Sequence, residues 1–251
     1  SYVCTCDGKE VICYKDGNTF AQSAKDFYAA MSAGADVSTS LITQERFEAE
    51  WEPSLKEGRD VLMFTISSQV SGTNHQANLA AKAANLRDMG ETLDTCAKWI
   101  ENNKWKMNSY FTVSDLKYLR KGGRISGVTA LAGTLLNIKP ILKADGNGRI
   151  VMCGRVKGRR KSVAELADYY KNYAVFPEGQ TAAICHCDCE DEANALADMI
   201  RQLGAKDVTV EYYDIVSGAH VGPGTIALFF MGKDSSGEQA GAAKKAAGKA
   251  E

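Results

Sequence analysis

The run Asp-Val-Leu-Met-Phe-Thr-Ile at residues 60–66 constrains the fold more than any other stretch. Its apolar side chains are nearly continuous rather than alternating. A strand of that pattern is covered on both faces, as in a parallel sheet flanked by helices. The next seven residues, Ser-Ser-Gln-Val-Ser-Gly-Thr (67–73), carry four hydroxyls and a glycine and lead into a helix expected from about Asn74. Open α/β sheets hold ligands at the carboxyl ends of such strands. A serine nucleophile here would need a base within reach, and the Gly-x-Ser-x-Gly elbow is absent. A phosphate loop would need Gly-x4-Gly-Lys-Ser/Thr, which is also absent. A neutral donor array at a helix N-terminus suits an anion. Capping of that helix by Ser71 or Thr73 accounts for the same residues without any ligand.

The rest of the chain predicts an α/β fold. Residues 1–20 read as a small hairpin region, with VICY as a strand and Asp-Gly turns in CDGKE and KDGN. A helix is expected over 21–34, where Ala24, Phe27, Tyr28 and Met31 recur at helical spacing, and Gly34 ends it. A second helix over 43–56 carries Phe47, Trp51 and Leu55 on one side, with Thr43 as its cap. Residues 79–104 read as helices, with Leu93, Cys96, Ala97 and Ile100 on one face. Further strands are expected at 109–113, in GRIVMCGRV, TAAICHC and VTVEYYDI, and in the closing IALFFM. Asp115 is positioned to cap a short helix, LKYLRK, and Ser162 to cap VAELADYYKNY. DEANALADMIRQLG is amphipathic and ends at Gly204. Two lobes follow from this order: residues 1–108, and 109–233 with strands and helices in mixed order. Residues 234–251 read as a disordered tail by composition. A ligand is expected between the lobes, since such interfaces favour pockets.

Four more segments carry candidate chemistry. VSTSLIT (37–43) reads as a second hydroxyl loop between the first two helices, explicable as capping alone. GAHVGPGT (218–225) reads as a sharply turned loop holding His220, an adjustable donor near neutral pH or a turn histidine bonded to local backbone. In KGGRISG (121–127), Gly122 and Gly123 stop a helix and let Arg124 project. The apolar, small-residue helix after it reads as core or as one wall of an apolar tunnel. GRVKGRRK sets Arg155, Lys157, Arg159, Arg160 and Lys161 together with no acid between them, either a solvated face or a site for a phosphorylated ligand or an acidic partner.

Composition narrows the classes. A formal net charge of −1 leaves no global field for nucleic acid or anionic lipid. No apolar run approaches a membrane span and no signal-peptide pattern opens the sequence, so a cytoplasmic protein is expected. Eight cysteines in 251 residues read as reduced thiols rather than a disulfide scaffold, since such scaffolds are small. Cys185, His186, Cys187 and Cys189 invite a metal, but one short segment closes a tetrahedral site awkwardly, so none is expected.

Taken in order, the segments STS, TISSQVSGT, YFTVSDLKYLRKGGRIS, LNIKPIL, GRVKGRRK and GAHVGPGT resemble the DegV family, which includes the fatty-acid-binding subunits of bacterial fatty acid kinases. The resemblance implies two lobes enclosing one fatty acid. It implies that Thr39 and Ser71 hydrogen-bond the carboxylate and that His220 supports it directly or through water. Ser40, Ser68, Gly72, Thr73 and Gly222 would shape the supporting loops. Arg124, Arg155 and Lys157 would lie where the carboxyl group is presented to the kinase. Two departures stand out. TSLIT (39–43) replaces the family's TSQPS. The opening Asp-Ser strand has no counterpart, nor has a strand-plus-helix segment expected between Asn78 and Leu79.

The expected function is non-catalytic: one long-chain fatty acid such as palmitate, stearate or oleate is bound in an apolar tunnel. Its carboxylate is presented to a partner fatty acid kinase, with no cofactor, no metal, no nucleic acid and only transient membrane contact. The alternative is an acyl- or phosphoryl-group enzyme with Ser71 as nucleophile and His220 as base. A third reading, nucleic-acid binding through 155–161, would show steep salt dependence.

Overall fold

The computed structural model describes residues 3–11, 19–40, 44–59, 86–123, 137–145 and 149–234. The expected strand 60–66, the hydroxyl stretch with Ser68, Ser71, Gly72 and Thr73, the junction at 78–79, Thr43, Arg124, the small-residue helix and the tail from 235 lie outside the described residues.

The first 40 residues give β1 (Val3–Cys6), β2 (Lys9–Glu10), α1 (Phe20–Ser32) and β3 (Val37–Ser40). Asp7 and Gly8, both at positive φ, turn β1 into β2, which is what the Asp-Gly pair favours. Helix α1 starts with a capping box. The Thr19 hydroxyl accepts from the Gln22 amide at 3.3 Å, and the Gln22 side chain accepts from the Thr19 amide at 2.9 Å. Its buried stripe is Ala24, Phe27, Tyr28 and Met31, the residues that the periodicity selects. The segment 37–40 is a strand rather than the expected loop. It pairs antiparallel with β1 in the register Cys4↔Thr39 and Cys6↔Val37, and the ladder gives its backbone groups partners that local turns would not. Among the described residues this sheet, ordered β2-β1-β3, is antiparallel throughout.

Two helices follow, α2 (Gln44–Lys56) and α3 (Leu93–Asn103). Cys96 is buried on α3, whereas Leu93 and, on α2, Leu55 are exposed. The remainder is built on one six-stranded sheet. Its strands are β4 (Met107–Thr112), β5 (Ile138–Ala144), β6 (Ile150–Lys157), β7 (Thr181–His186), β8 (Asp207–Tyr212) and β9 (Ile226–Met231). They are ordered β6-β5-β4-β9-β7-β8. Only β7 and β8 run parallel within it. They are joined by α6 (Glu190–Gln202), as a parallel pair requires a crossover. Helix α4 (Lys117–Lys121) follows β4, α5 (Arg159–Tyr173) follows β6, and α7 (Ile215–Val221) precedes β9.

Two corrections concern helix starts. Helix α5 begins at Arg159, so Ser162 lies inside it, buried, donating to the Arg159 carbonyl at 2.7 Å; Gly158, at φ +93, makes the entry turn instead. GAHVGPGT is not all loop. Asp214 caps α7 by accepting from the Ser217 amide at 2.9 Å, which carries the helix through His220 to Val221. The loop begins only at Gly222, whose positive φ ends the helix.

Alternation along β9 divides the core. Ile226, Leu228 and Phe230 face α5 and α6 with Tyr110, Leu166 and Ile200. Ala227 and Phe229 face α1 and α7 with Cys4, Tyr28 and Tyr213. Residues from both sides of position 108 share the second cluster. Each large apolar side chain so buried contributes about 1.5–3 kcal/mol. Among the described residues, no helix is long and apolar enough to cross a membrane.

Tyr28 locks α1 to α7. Its hydroxyl donates to the Tyr213 carbonyl at 2.7 Å, and burial pushes its ionisation well above the ordinary tyrosine range. A Cβ on Gly218 would lie 2.0 Å from that hydroxyl oxygen. The variant Gly218→Ala is therefore expected to lose about 1–3 kcal/mol by overpacking, read as a lower urea midpoint with unchanged slope.

Candidate functional site

Thr39 and His220 meet across 181 positions of sequence: the threonine Oγ1 and the imidazole Nε2 are 2.9 Å apart, partly buried. Strand alternation explains the threonine. Val37 and Thr39 turn inward, while Ser38 and Ser40 face solvent, where Ser38 bonds the Thr5 hydroxyl at 2.7 Å. Ser40 is thus turned away from Thr39, and the structure does not bring it into the site. The imidazole projects from the last turn of α7, whose middle and C-terminal cap are held by close contacts. Gly218 packs on Tyr28, and at Gly222 a Cβ would lie 2.0 Å from the Tyr118 ring. A little further on, Gly224 at φ +75 lies against Ser114, whose hydroxyl donates to the Gly224 carbonyl at 3.2 Å.

The motif SDLKYLRKGG therefore packs on GAHVGPGT. The expected cap, Asp115, lies one residue ahead of the actual cap position, Leu116, and accepts from the Lys117 amide at 2.8 Å. The partnership with 218–224 was not legible in either motif alone, although the density of glycines in both was a signal of close backbone approach. Helix α4 also reaches the other side of the site. Lys121 pairs with Asp36, just ahead of β3, and Asp36 and Asp7 exchange two hydrogen bonds at 2.8 Å, Asp36 N–H to the Asp7 carboxylate and Asp7 N–H to the Asp36 carbonyl.

Sheet register sets the basic residues at the same end. Thr112 of β4 is opposite Ile226 of β9 and Ile141 of β5, and Ile138 is opposite Lys157 of β6. The loop from β4 to α4, the start of β9 and the end of β6 thus share one end of the sheet. Lys139 ties β5 to it by donating to the Ser114 carbonyl at 2.8 Å. Arg155 and Lys157 are exposed on one face of the edge strand β6. Arg159 is not part of a free basic run: Glu192 on α6 holds its guanidinium at 2.6–3.1 Å.

The cysteine segment serves packing. Cys185 and Cys187 are buried, and Cys189 donates to the Thr225 carbonyl at 3.4 Å. Burial pushes the Cys189 thiol up to about 12 despite the nearby Arg159. Among the described residues no cysteine is in a disulfide, and no three His, Cys, Asp or Glu side chains are grouped to hold a metal ion. His186 is buried with its ring 4.4 Å from that of Tyr212, and its Nδ1 accepts from the Cys189 amide at 3.3 Å.

The sequence and the mixed α/β fold place the chain in a known class of protein. The DegV family model, that of an uncharacterised protein family, matches residues 5–84 and 73–233. The two matched pieces overlap across 73–84. A DegV domain-containing protein of Clostridium perfringens is 34% identical over 260 residues, covering 92% of this chain and 88% of the relative. That alignment is longer than the chain itself, so the relative carries residues with no counterpart here. The fatty-acid-binding DegV family protein of Thermus thermophilus superposes with a TM-score of 0.76 at 24% identity, over 91% of this chain and 89% of that one. DegV of Bacillus subtilis, a fatty acid binding protein, gives 0.70 at 26% identity over 91% and 89%. The chain belongs to the DegV family.

Burial lowers the His186 pKa, against the smaller opposing influence of Glu190 and Asp188. A lowered folded-state value means that the unfolded chain takes the proton more readily. The fold therefore carries no penalty above the ordinary value near 6.5 and loses stability as pH falls from there through the lowered value. Replacing His186 by Asn is expected to flatten the urea-midpoint profile below about pH 6.5 relative to the parent.

Proposed function

We propose that this protein binds one long-chain fatty acid and holds its carboxylate at Thr39 and His220, with Ser71 as a third donor. The observation that carries this reading is the 2.9 Å Thr39–His220 contact. With Nε2 protonated, the imidazole donates to the threonine oxygen, and the threonine proton is then directed at a ligand oxygen. A carboxylate removed from water needs such donors, because an unpartnered buried charge costs far more than a chain of this size can supply. Affinity comes from the acyl chain, at ~0.8 kcal/mol per methylene, so ~14 methylenes supply on the order of 10 kcal/mol before ordering costs. The fatty-acid-binding DegV of Bacillus subtilis, 26% identical over most of both chains, supports extending that ligand class to this protein. The enzyme alternative requires His220 to serve Ser71, whereas its Nε2 is 2.9 Å from Thr39.

The same reading assigns the protein a partner, a fatty acid kinase catalytic subunit to which the bound carboxylate is presented in the cytoplasm. Arg155 and Lys157, exposed at the site end of the sheet, are the docking cations, and Arg124 is assigned the same role. Their neighbours support this. Arg160 and Lys161 are exposed in the first turn of α5, which contains no acid of its own, where the helix dipole favours anions. A cationic surface held against that preference suits an acidic partner.

Denaturing extraction and mass spectrometry of the purified protein should recover a long-chain fatty acid. Thr39→Val and His220→Ala should each weaken oleate binding by about 10–100-fold, the worth of a hydrogen bond to a charged group, with little change for methyl oleate. No lipid recovered and no oleate uptake would sink the reading. Charge reversal at Arg155 and Lys157 should leave oleate affinity near parental and abolish phosphorylation of bound oleate by a fatty acid kinase subunit.

A further inference from the structure

We propose that Gly122 is a positioning residue for the carboxylate site: its missing side chain makes the end of α4 the seat for the His220 imidazole. This deepens the function proposed above and rests on it. A Cβ at Gly122 would lie 2.6 Å from Nδ1 of His220 and 3.3 Å from Cγ. The opposite nitrogen, Nε2, is the one 2.9 Å from Thr39. The imidazole is therefore held edge-on between the α4 backbone and the β3 hydroxyl.

The glycine is not required by its own backbone. Gly122 has φ −75 and ψ −5, an ordinary right-handed conformation, and its amide makes a helical bond to the Tyr118 carbonyl at 2.9 Å. Alanine fits that conformation without strain. Its neighbour is the opposite case. Gly123 has φ +69, and a Cβ there would meet nothing within 4 Å, so its role is to reverse the chain. The two glycines of KGGR thus do different work, one conformational and one steric.

The crowding at Gly122 is not readily relieved by moving α7. Gly218 is flush with Tyr28 at the middle of that helix and Gly222 with Tyr118 just past its end. Tyr118 belongs to α4 itself, so the seat and the helix it supports are interlocked. On the far side, Lys121 pairs with Asp36, which binds the segment leading to Thr39. The side chain of His220 is what can yield, by rotating away from Thr39. Helix α4 thereby sets the distance between the two donors without touching the ligand.

The test uses the full chain, with fluorescent cis-parinaric acid as probe and oleate as competitor. Gly122→Ala should weaken binding about tenfold. It should do nothing further in a His220→Ala background, because a residue acting only through the imidazole is silent once the imidazole is gone. The protein has three histidines, so the His220 ring signals can be assigned by NMR. They should shift in Gly122→Ala and stay unchanged in Gly123→Ala, even though the latter lowers the urea midpoint. The ring signals also keep this inference separate from the ligand assignment. If the parent takes up no fatty acid, the reading of function fails while the shift still reports on Gly122. Parental binding and ring signals in Gly122→Ala would overturn the proposal. So would an equal loss in the His220→Ala background, or unfolding in both backgrounds; unfolding relieved by His220→Ala would support it.

Discussion

The close approach of α7 to its neighbours is the constraint on which the site depends. Seven residues, Ile215–Val221, are too few to form a stable helix alone. They are held because glycine at 218 admits Tyr28 from α1 and glycine at 222 admits Tyr118 from α4. Each contact is closer than any Cβ would permit. The tyrosine hydroxyl of α1 then satisfies the Tyr213 carbonyl at the entry to the helix. Once α7 is clamped at its middle and its C-terminal cap, the direction of His220 is set, and Thr39 lies within hydrogen-bond distance of it.

The six-stranded sheet contributes by gathering chain ends. Antiparallel pairing from β9 through β4 and β5 to β6 brings the exit of β4, the entry of β9 and the exit of β6 to one end of the sheet. Three segments far apart in sequence, around Ser114, Gly224 and Lys157, become neighbours there. The face that packs on α1 joins the small first sheet to the large one through Cys4, Tyr28, Phe229 and Tyr213. In this way a threonine near the start of the chain meets a histidine near its end.

Much of the secondary structure was legible because it rests on local signals. The stripe Ala24, Phe27, Tyr28 and Met31 is the buried face of α1, and IALFFM is the most buried of the described strands. The misreadings share one cause. VSTS reads as a loop because its hydroxyls suit turns, yet pairing with β1 makes it a strand. GAHV reads as a loop because of its glycine, yet that glycine is there to admit Tyr28, and Asp214 caps a helix through it. Ser162 has the chemistry of a cap, but Gly158 turns the chain into the helix about one turn earlier. In each case a residue type with two uses was read in its commoner one.

The sequence by itself determined the helical stripes, the apolar strands, the glycine-rich turns and, through ordered motifs, membership of the DegV family. These are properties of near neighbours along the chain, carried by periodicity and backbone preference. It also named Thr39 and His220, but separately. Only the tertiary structure decided that they touch, that Ser40 faces the opposite way, and that Arg159 is neutralised by Glu192 on another helix. Such facts depend on strand register and on sub-ångström clearances at glycines. A one-residue shift in register would reverse every side chain on β3, and nothing in the local pattern of VSTS specifies which register its partner strand imposes.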